Sequence, residues 1–423
     1  MEIIKTFGNY VEKWCENTPD RARWLLTKGW EAQDLKFRLA PSKKINPSDQ
    51  YLARMMMNVM LQPLKHPDQS VLVSVFTPCE LMQEAGLYPY NVESFSCYLT
   101  ASSAERAFLQ SAEDSGLSET LCSYHKTFIG AAEKGLLPKP KCIVYTNLAC
   151  DANLLTFQRL AEFFHVPVFS IDVPSGQTSE NVAYVAAQLR ALRGFLEQTT
   201  GHQIDESRLV QRVKRGYKTL QQFDAFQSAR ADRFIPSDLV SPLYSGMTNN
   251  ILLGTEEEAL YTEKLLQDVK KAPPKKGKHI YWMHTLPFWS DAVKDALLLN
   301  DDAQIVGCEL SQATDISRYS EDPYEEMAMR LIYHALNGPI SRRINAGIRH
   351  AKQAGADGVV WFNHWGCKHT LGGSRIAKKC FEEAGLPTLI LDGDGCDRSH
   401  GGEGQTSTRL GAFLEMLGDF AHE

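Results

Sequence analysis

Two stretches of the chain can be laid over one another. In the first, Cys142-Ile-Val-Tyr-Thr is followed by Asn147-Leu-Ala-Cys150, a helical pattern over 154–164, and Pro167 with Asp172 five residues on. In the second, Gly358-Val-Val-Trp-Phe is followed by Asn363-His-Trp-Gly-Cys367, a helical pattern over 375–384, and Pro387 with Asp392 five residues on. A short apolar run bounded by turn residues reads as a buried strand, and strands alternating with helices are the mark of parallel βαβ units. The same unit in both halves predicts an ancient duplication, with one parallel-sheet domain in each half.

The rest of the chain reads around those two units. Residues 1–66 form a helical N-terminal segment, where Met and Leu recur at core-facing helical spacing between Tyr51 and Met60. The first α/β domain, 67–195, opens with the strand Val71-Leu-Val-Ser-Val-Phe, and Thr77-Pro78-Cys79-Glu80 leads into a short helix stopped by Gly86. Residues 196–270 read as a helical connection. The helical, charged pattern runs over 180–269 with a break over 235–250, and the Lys- and Pro-rich stretch 271–278 reads as a linker. The second α/β domain, 271–423, starts with the strands His279-Ile-Tyr-Trp-Met and Gln304-Ile-Val-Gly-Cys, and one long helix is expected over 323–353. The expected fold class is α/β: two related Rossmann-like or flavodoxin-like parallel-sheet domains with helical N-terminal and connecting segments.

In open parallel sheets, ligands sit in the crevice beyond the carboxyl ends of the strands. Cys150 and Cys367 each follow an expected strand end by four or five residues and precede a helix, so their loops project into such a crevice. The helix N-terminus beside them favours thiolate, the form that ligates metal. No C-x-x-C pair occurs, which excludes the ferredoxin, zinc-ribbon and thioredoxin spacings. Thiols this far apart in the sequence also suit a closed tetrahedral zinc site poorly.

Composition narrows the chemistry further. The 423 residues are 43% hydrophobic and 23% charged with a net charge of −6, so a basic nucleic-acid or lipid-headgroup surface is not expected. The N-terminal stretch lacks the apolar core of a signal peptide, and no window approaches the ~20 apolar residues of a membrane helix. The expectation is a cytoplasmic protein whose ten cysteines stay reduced, with no nucleic-acid or membrane partner.

Several motifs taken together resemble the 2-hydroxyacyl-CoA dehydratase/benzoyl-CoA reductase family, closest to its larger-subunit type. They are Thr77-Pro78-Cys79-Glu80-Leu81 through Tyr88-Pro89; Cys122-Ser123-Tyr124-His125 followed by Asn147-Leu-Ala-Cys150-Asp151; Asp357-Gly358-Val-Val with Cys367; and Gly404-Gln405-Thr-Ser-Thr408-Arg409 in the closing helix. The resemblance runs from about residue 70 to the end and is thin over 195–275. It implies a [4Fe-4S] cluster held between the domains by Cys122, Cys150 and Cys367, with one iron left open for one-electron chemistry on a CoA thioester. It also implies a related second subunit in a heterodimer, and a separate ATP-hydrolysing iron–sulfur activator that injects the electron. The chain itself has no G-x-x-x-x-G-K-[ST] phosphate loop. The activity implied is dehydration of a 2-hydroxyacyl-CoA, or reduction of an aryl- or acyl-CoA.

Glu80 matches an acidic position of the family and is the candidate proton acceptor. Gly404, Gln405, Thr408 and Arg409 are candidates for contact with the CoA thioester or the cluster surroundings. His125 and His364 flank the expected ligands as hydrogen-bonding partners. Cys79, Cys97, Cys308 and Cys396 leave open a double-cubane [8Fe-9S] cluster in a small-molecule reductase. A subunit that only relays electrons or stabilises the assembly is a third reading. Cys15, Cys142 and Cys380 read as packing residues.

Overall fold

The computed structural model describes residues 2–419; residue 1 and residues 420–423 of the expected outer segments lie outside them. The chain opens with three helices, α1 (Glu2–Asn17), α2 (Pro19–Leu39) and α3 (Pro47–Lys65). Proline stands in the first turn of α2 and of α3, where its missing N–H costs nothing. The methionine run falls on α3, and Met55, Met56, Met57 and Met60 are all buried there, as core packing requires.

The first sheet contains β1 (Ser70–Val73), β2 (Tyr88–Asn91), β3 (Cys142–Thr146) and β4 (Val168–Ile171), all parallel, in the order β2-β1-β3-β4. Around it lie α4 (Glu80–Glu84), α5 (Val92–Ala101), α6 (Arg106–Asp114), α7 (Ser123–Glu133) and α8 (Ala152–Phe164). Four helices connect the halves: α9 (Ser179–Thr200), α10 (Glu206–Ala229), α11 (Ser241–Ile251) and α12 (Glu256–Lys271). The second sheet contains β5 (Lys278–Met283), β6 (Ala303–Cys308), β7 (Gly358–His364) and β8 (Thr388–Gly393), again parallel, in the order β6-β5-β7-β8. Its helices are α13 (Asp291–Leu297), α14 (Glu309–Gln312), α15 (Pro323–Ile332), α16 (Ile340–Gln353), α17 (Lys368–Leu371), α18 (Ser374–Glu383) and α19 (Glu403–Asp419).

The two sheets have the same strand order, so the repeat in the sequence is a repeat in space. The shared Asn and Asp of the template are partners. Asn147 Nδ2 donates to Asp172 Oδ1 at 2.8 Å beyond the first sheet, and Asn363 Nδ2 donates to Asp392 Oδ1 at 2.8 Å in the second. Each pair ties the third strand of its sheet to the fourth at the carboxyl edge, where the cysteine loops leave.

Two expectations are corrected. The helix expected over 323–353 is two, because Gly338 (φ +88°) and Pro339 turn the chain between α15 and α16. The break expected over 235–250 lies earlier, since Ser241–Ile251 is helical, with Ser241 N–H donating to Asp238 Oδ1 at 2.8 Å. The stretch 271–278 is pinned rather than free: Phe234 N–H donates to Pro273 O, and Lys275 N–H to Asp232 O, at 2.9 Å each.

Candidate metal centre

In each sheet the strand order reverses between its first and third strands in chain order, β1 and β3 or β5 and β7. Crevices open at such switch points beyond the strand ends. Cys150 follows β3 and lies just before α8; Cys367 follows β7 and is the N-cap residue of α17. Cys122 is the N-cap residue of α7, a placement that only its motif, and no periodicity, had suggested.

The structure brings these three cysteines together. Gly366, at φ +78°, lets the Cys367 loop lie against the backbone of Cys122; a Cβ there would stand 2.6 Å from the Cys122 nitrogen. Each thiol is partly buried. Burial pushes the Cys122 thiol well above its ordinary pKa, and the neighbouring Cys367 and Cys150 thiols push it further. Cys150 is pushed up to about 12 by burial first, then by Glu93, with Cys367 adding to it. Against this stand backbone N–H groups at helix starts, Tyr124 toward Cys122, and Ala152 and Asn153 toward Cys150.

Each of two thiols has a histidine partner. His364 Nε2 lies 3.1 Å from Cys122 Sγ, and His125 Nε2 lies 3.4 Å from Cys150 Sγ. Burial lowers both imidazole pKa values, that of His125 to about 3, and so favours the neutral ring. Among the described residues, no three His, Cys, Asp or Glu side chains close on a single metal ion. Three partly buried cysteines on separate loops nevertheless fit a multi-iron cluster, whose thiolate ligands bind different irons.

The other cysteines are engaged elsewhere. Cys79 Sγ donates to Thr77 O at 3.2 Å, and Cys308 Sγ to His284 O at 3.4 Å. Cys396 Sγ sits among the hydroxyls of Thr100 (3.0 Å) and Thr127 (3.4 Å). Cys97 is buried beside Tyr124. Cys15 and Cys142 are buried in α1 and β3, and Cys380 is partly buried in α18.

Glu80 is buried at the start of α4, with one carboxylate oxygen on the Arg330 guanidinium and its charge acting on Cys79. Its other oxygen, Oε2, has no partner among the described residues. A carboxyl that sequence reasoning missed is Glu93, in the first turn of α5. It accepts from Asn91 Nδ2 at 3.0 Å and from Val75 N–H at 3.4 Å, and burial pushes it up to about 7. Its only sequence signal was an acidic residue in a first helical turn, a feature shared with many helices.

A polar wall also went unread. His284 holds φ +80°, and the atoms His284 Nδ1, Thr285 Oγ1 and Tyr124 Oη are buried without hydrogen-bond partners among the described residues. Both hydroxyls face Gly395, where any Cβ would collide with Tyr124 Oη. Of the closing-helix candidates, Gly404, Gln405 and Thr408 are exposed in the first turns of α19, the Thr408 hydroxyl donating to Gly404 O at 2.9 Å, while the partly buried Arg409 donates to Ile390 O at 2.5 Å.

A family model described as 2-hydroxyglutaryl-CoA dehydratase, D-component, matches residues 74–417. The chain is 21% identical over 362 residues to the (R)-phenyllactyl-CoA dehydratase alpha subunit of Clostridium sporogenes, covering 80% of this chain and 87% of that one. It is 22% identical over 364 residues to the (R)-2-hydroxyisocaproyl-CoA dehydratase alpha subunit of Clostridioides difficile, covering 81% and 88%. The beta subunit of the Clostridium sporogenes enzyme is 22% identical over 381 residues, covering 84% and 94%.

Proposed function

The chain belongs to the 2-hydroxyglutaryl-CoA dehydratase D-component family, and on that premise we propose that it is the iron–sulfur subunit of a 2-hydroxyacyl-CoA dehydratase. The observation that carries this reading is the meeting of Cys122 from the first half with Cys150 and Cys367 at the carboxyl edges of the two sheets. Those three residues would hold a [4Fe-4S] cluster. When bound, the cluster supplies one electron and an iron with an open position.

The chain's own residues supply the rest. Gly366 permits the close approach of the two cysteine loops, and helix-start N–H groups face two of the three sulfurs. Dehydration removes a hydroxyl from C2 and a proton from C3 of the acyl group, so the site needs a proton acceptor. We assign that role to Glu93, whose charge is felt at Cys150 and whose carboxyl titrates near neutral pH. Glu80, tied to Arg330, is the alternative through Oε2. Gly404 and Gln405 remain our candidates for polar contact with the CoA thioester.

Similarity to both alpha and beta subunits supports a related second subunit as partner. A separate ATP-hydrolysing activator completes the proposed system. The hydrogen bonds of Cys79, Cys308 and Cys396 within the fold favour one four-iron cluster over the double-cubane alternative. Among the described residues no helix is long and apolar enough to cross a membrane.

The test is turnover. The chain, assembled anaerobically with its partner subunit and a reduced activator plus ATP, is expected to convert a 2-hydroxyacyl-CoA to the 2-enoyl-CoA and water. Cys122→Ala, Cys150→Ala and Cys367→Ala are each expected to abolish it. Full turnover by any one of the three would overturn the ligand assignment.

A further inference from the structure

The histidines beside Cys122 and Cys150 look equivalent by position, but their outer nitrogens face different partners. His364 Nδ1 lies 3.1 Å from the backbone N–H of Gly395, which can only donate. Nδ1 must therefore accept, which leaves the ring's proton on Nε2, aimed at Cys122 Sγ 3.1 Å away. Asp394 does not compete for that ring. Its Oδ1 stands 3.8 Å from Nδ1 and already accepts from Ser123 Oγ (2.5 Å) and from the N–H groups of Cys396 and Asp397 (2.7 Å each).

His125 is set the other way. The Thr156 hydroxyl donates to Ala152 O at 2.8 Å, so His125 Nδ1, 2.9 Å from Thr156 Oγ1, must be the donor between them. Its Nε2 then faces Cys150 Sγ with a lone pair.

We propose that His364 is a positioning residue which donates an N–H···S hydrogen bond to Cys122, its tautomer fixed by Gly395 N–H, and that this bond raises the reduction potential of a cluster held there. The inference rests on the iron–sulfur reading above. Reduction adds negative charge to the cluster and its sulfurs, and a donor aimed at one of them stabilises the reduced form more than the oxidised one. No equivalent donor comes from His125 to Cys150, so Cys122 is a thiolate through which a side chain tunes the potential. Gly395 has to be glycine for the loop to lie close enough, since a side chain there runs into Tyr124 Oη.

The experiment compares His364→Gln with His364→Asn in the full chain, purified anaerobically with its partner subunit. Glutamine returns an N–H to the place of Nε2, whereas asparagine keeps polarity near the place of Nδ1 and withdraws the donor from sulfur. Iron content is measured first, then the midpoint potential by EPR-monitored redox titration. The expected result is equal iron in all three proteins, a wild-type potential in the glutamine variant and a lower one in the asparagine variant. An iron-loaded asparagine variant with the wild-type potential would overturn the inference, as would equal lowering in both variants, which would indicate packing alone. If asparagine prevents loading while glutamine loads, the glutamine potential decides by the same criterion, and a shifted value counts against the proposal. Iron-free wild-type protein would instead defeat the underlying cluster reading.

Discussion

Glu93 is where the electrostatics of single residues meets the chemistry. Its carboxyl is enclosed, and the backbone N–H groups of Glu93 and Val75 with the Asn91 amide are too little to offset burial, so its pKa rises from 4.5 to about 7. In its proposed role as proton acceptor it works ionised, so turnover is expected to rise with pH through about 7. Glu93→Gln should lower kcat by about 10²-fold or more and flatten that limb, with iron content unchanged. The stability consequence has the opposite sign. The folded pKa lies above the unfolded one, so the fold disfavours the ionised form. Stability of the wild type relative to Glu93→Gln should therefore fall as pH rises from 4.5 to about 7 and level off above. Chemical denaturation of both proteins across that range measures it; a difference independent of pH would contradict the assigned environment.

Among elements, the loop from β7 to α17 decides whether Cys367 reaches Cys122. Gly366→Ala puts a methyl 2.6 Å from the Cys122 nitrogen and forces alanine to φ +78°. The backbone cost alone is about 1–2 kcal/mol, small enough for the protein to remain folded. The expected outcome is a folded chain by circular dichroism with most of its iron lost; full iron retention would mean that the loops need not touch. Behind α17 a buried ion pair holds the layer together. Arg343 makes two bonds to Glu309, at 2.5 and 2.6 Å, donates to His369 O at 2.6 Å and lies 4.7 Å from the Trp361 ring centroid. Glu309→Ala leaves that guanidinium buried without its counter-charge and should cost about 3–5 kcal/mol in denaturant unfolding. A loss under about 1 kcal/mol would show the pair to be dispensable.

At the scale of the molecule, the duplicated sheet was legible because it is written locally, in strand runs, an Asn, a Cys and a Pro-to-Asp spacing that each half repeats. The Asn–Asp hydrogen bond explains why those two residues recur together. What the sequence did not disclose depends on contacts between distant segments. Glu93 lies in the first domain's α5 and acts on a loop after β3; Gly395 N–H sets a histidine on β7; Glu80 meets Arg330 from α15. The break between α15 and α16 was signalled by Gly338-Pro339, but helical periodicity on both sides hid it. Cys122 had no periodic signal, and its place became physical only when Gly366 was seen against it.

The central claim is that these three thiols hold one iron–sulfur cluster, and iron with acid-labile sulfide on anaerobically purified, matured protein tests it most directly. The account predicts a brown protein with about four irons and four sulfides per chain. Replacing Cys122, Cys150 or Cys367 should remove or degrade that cluster, and replacing Cys79, Cys308 or Cys396 should leave it. Colourless, iron-free wild-type protein would contradict the account, as would about eight irons that depend on the second set of cysteines.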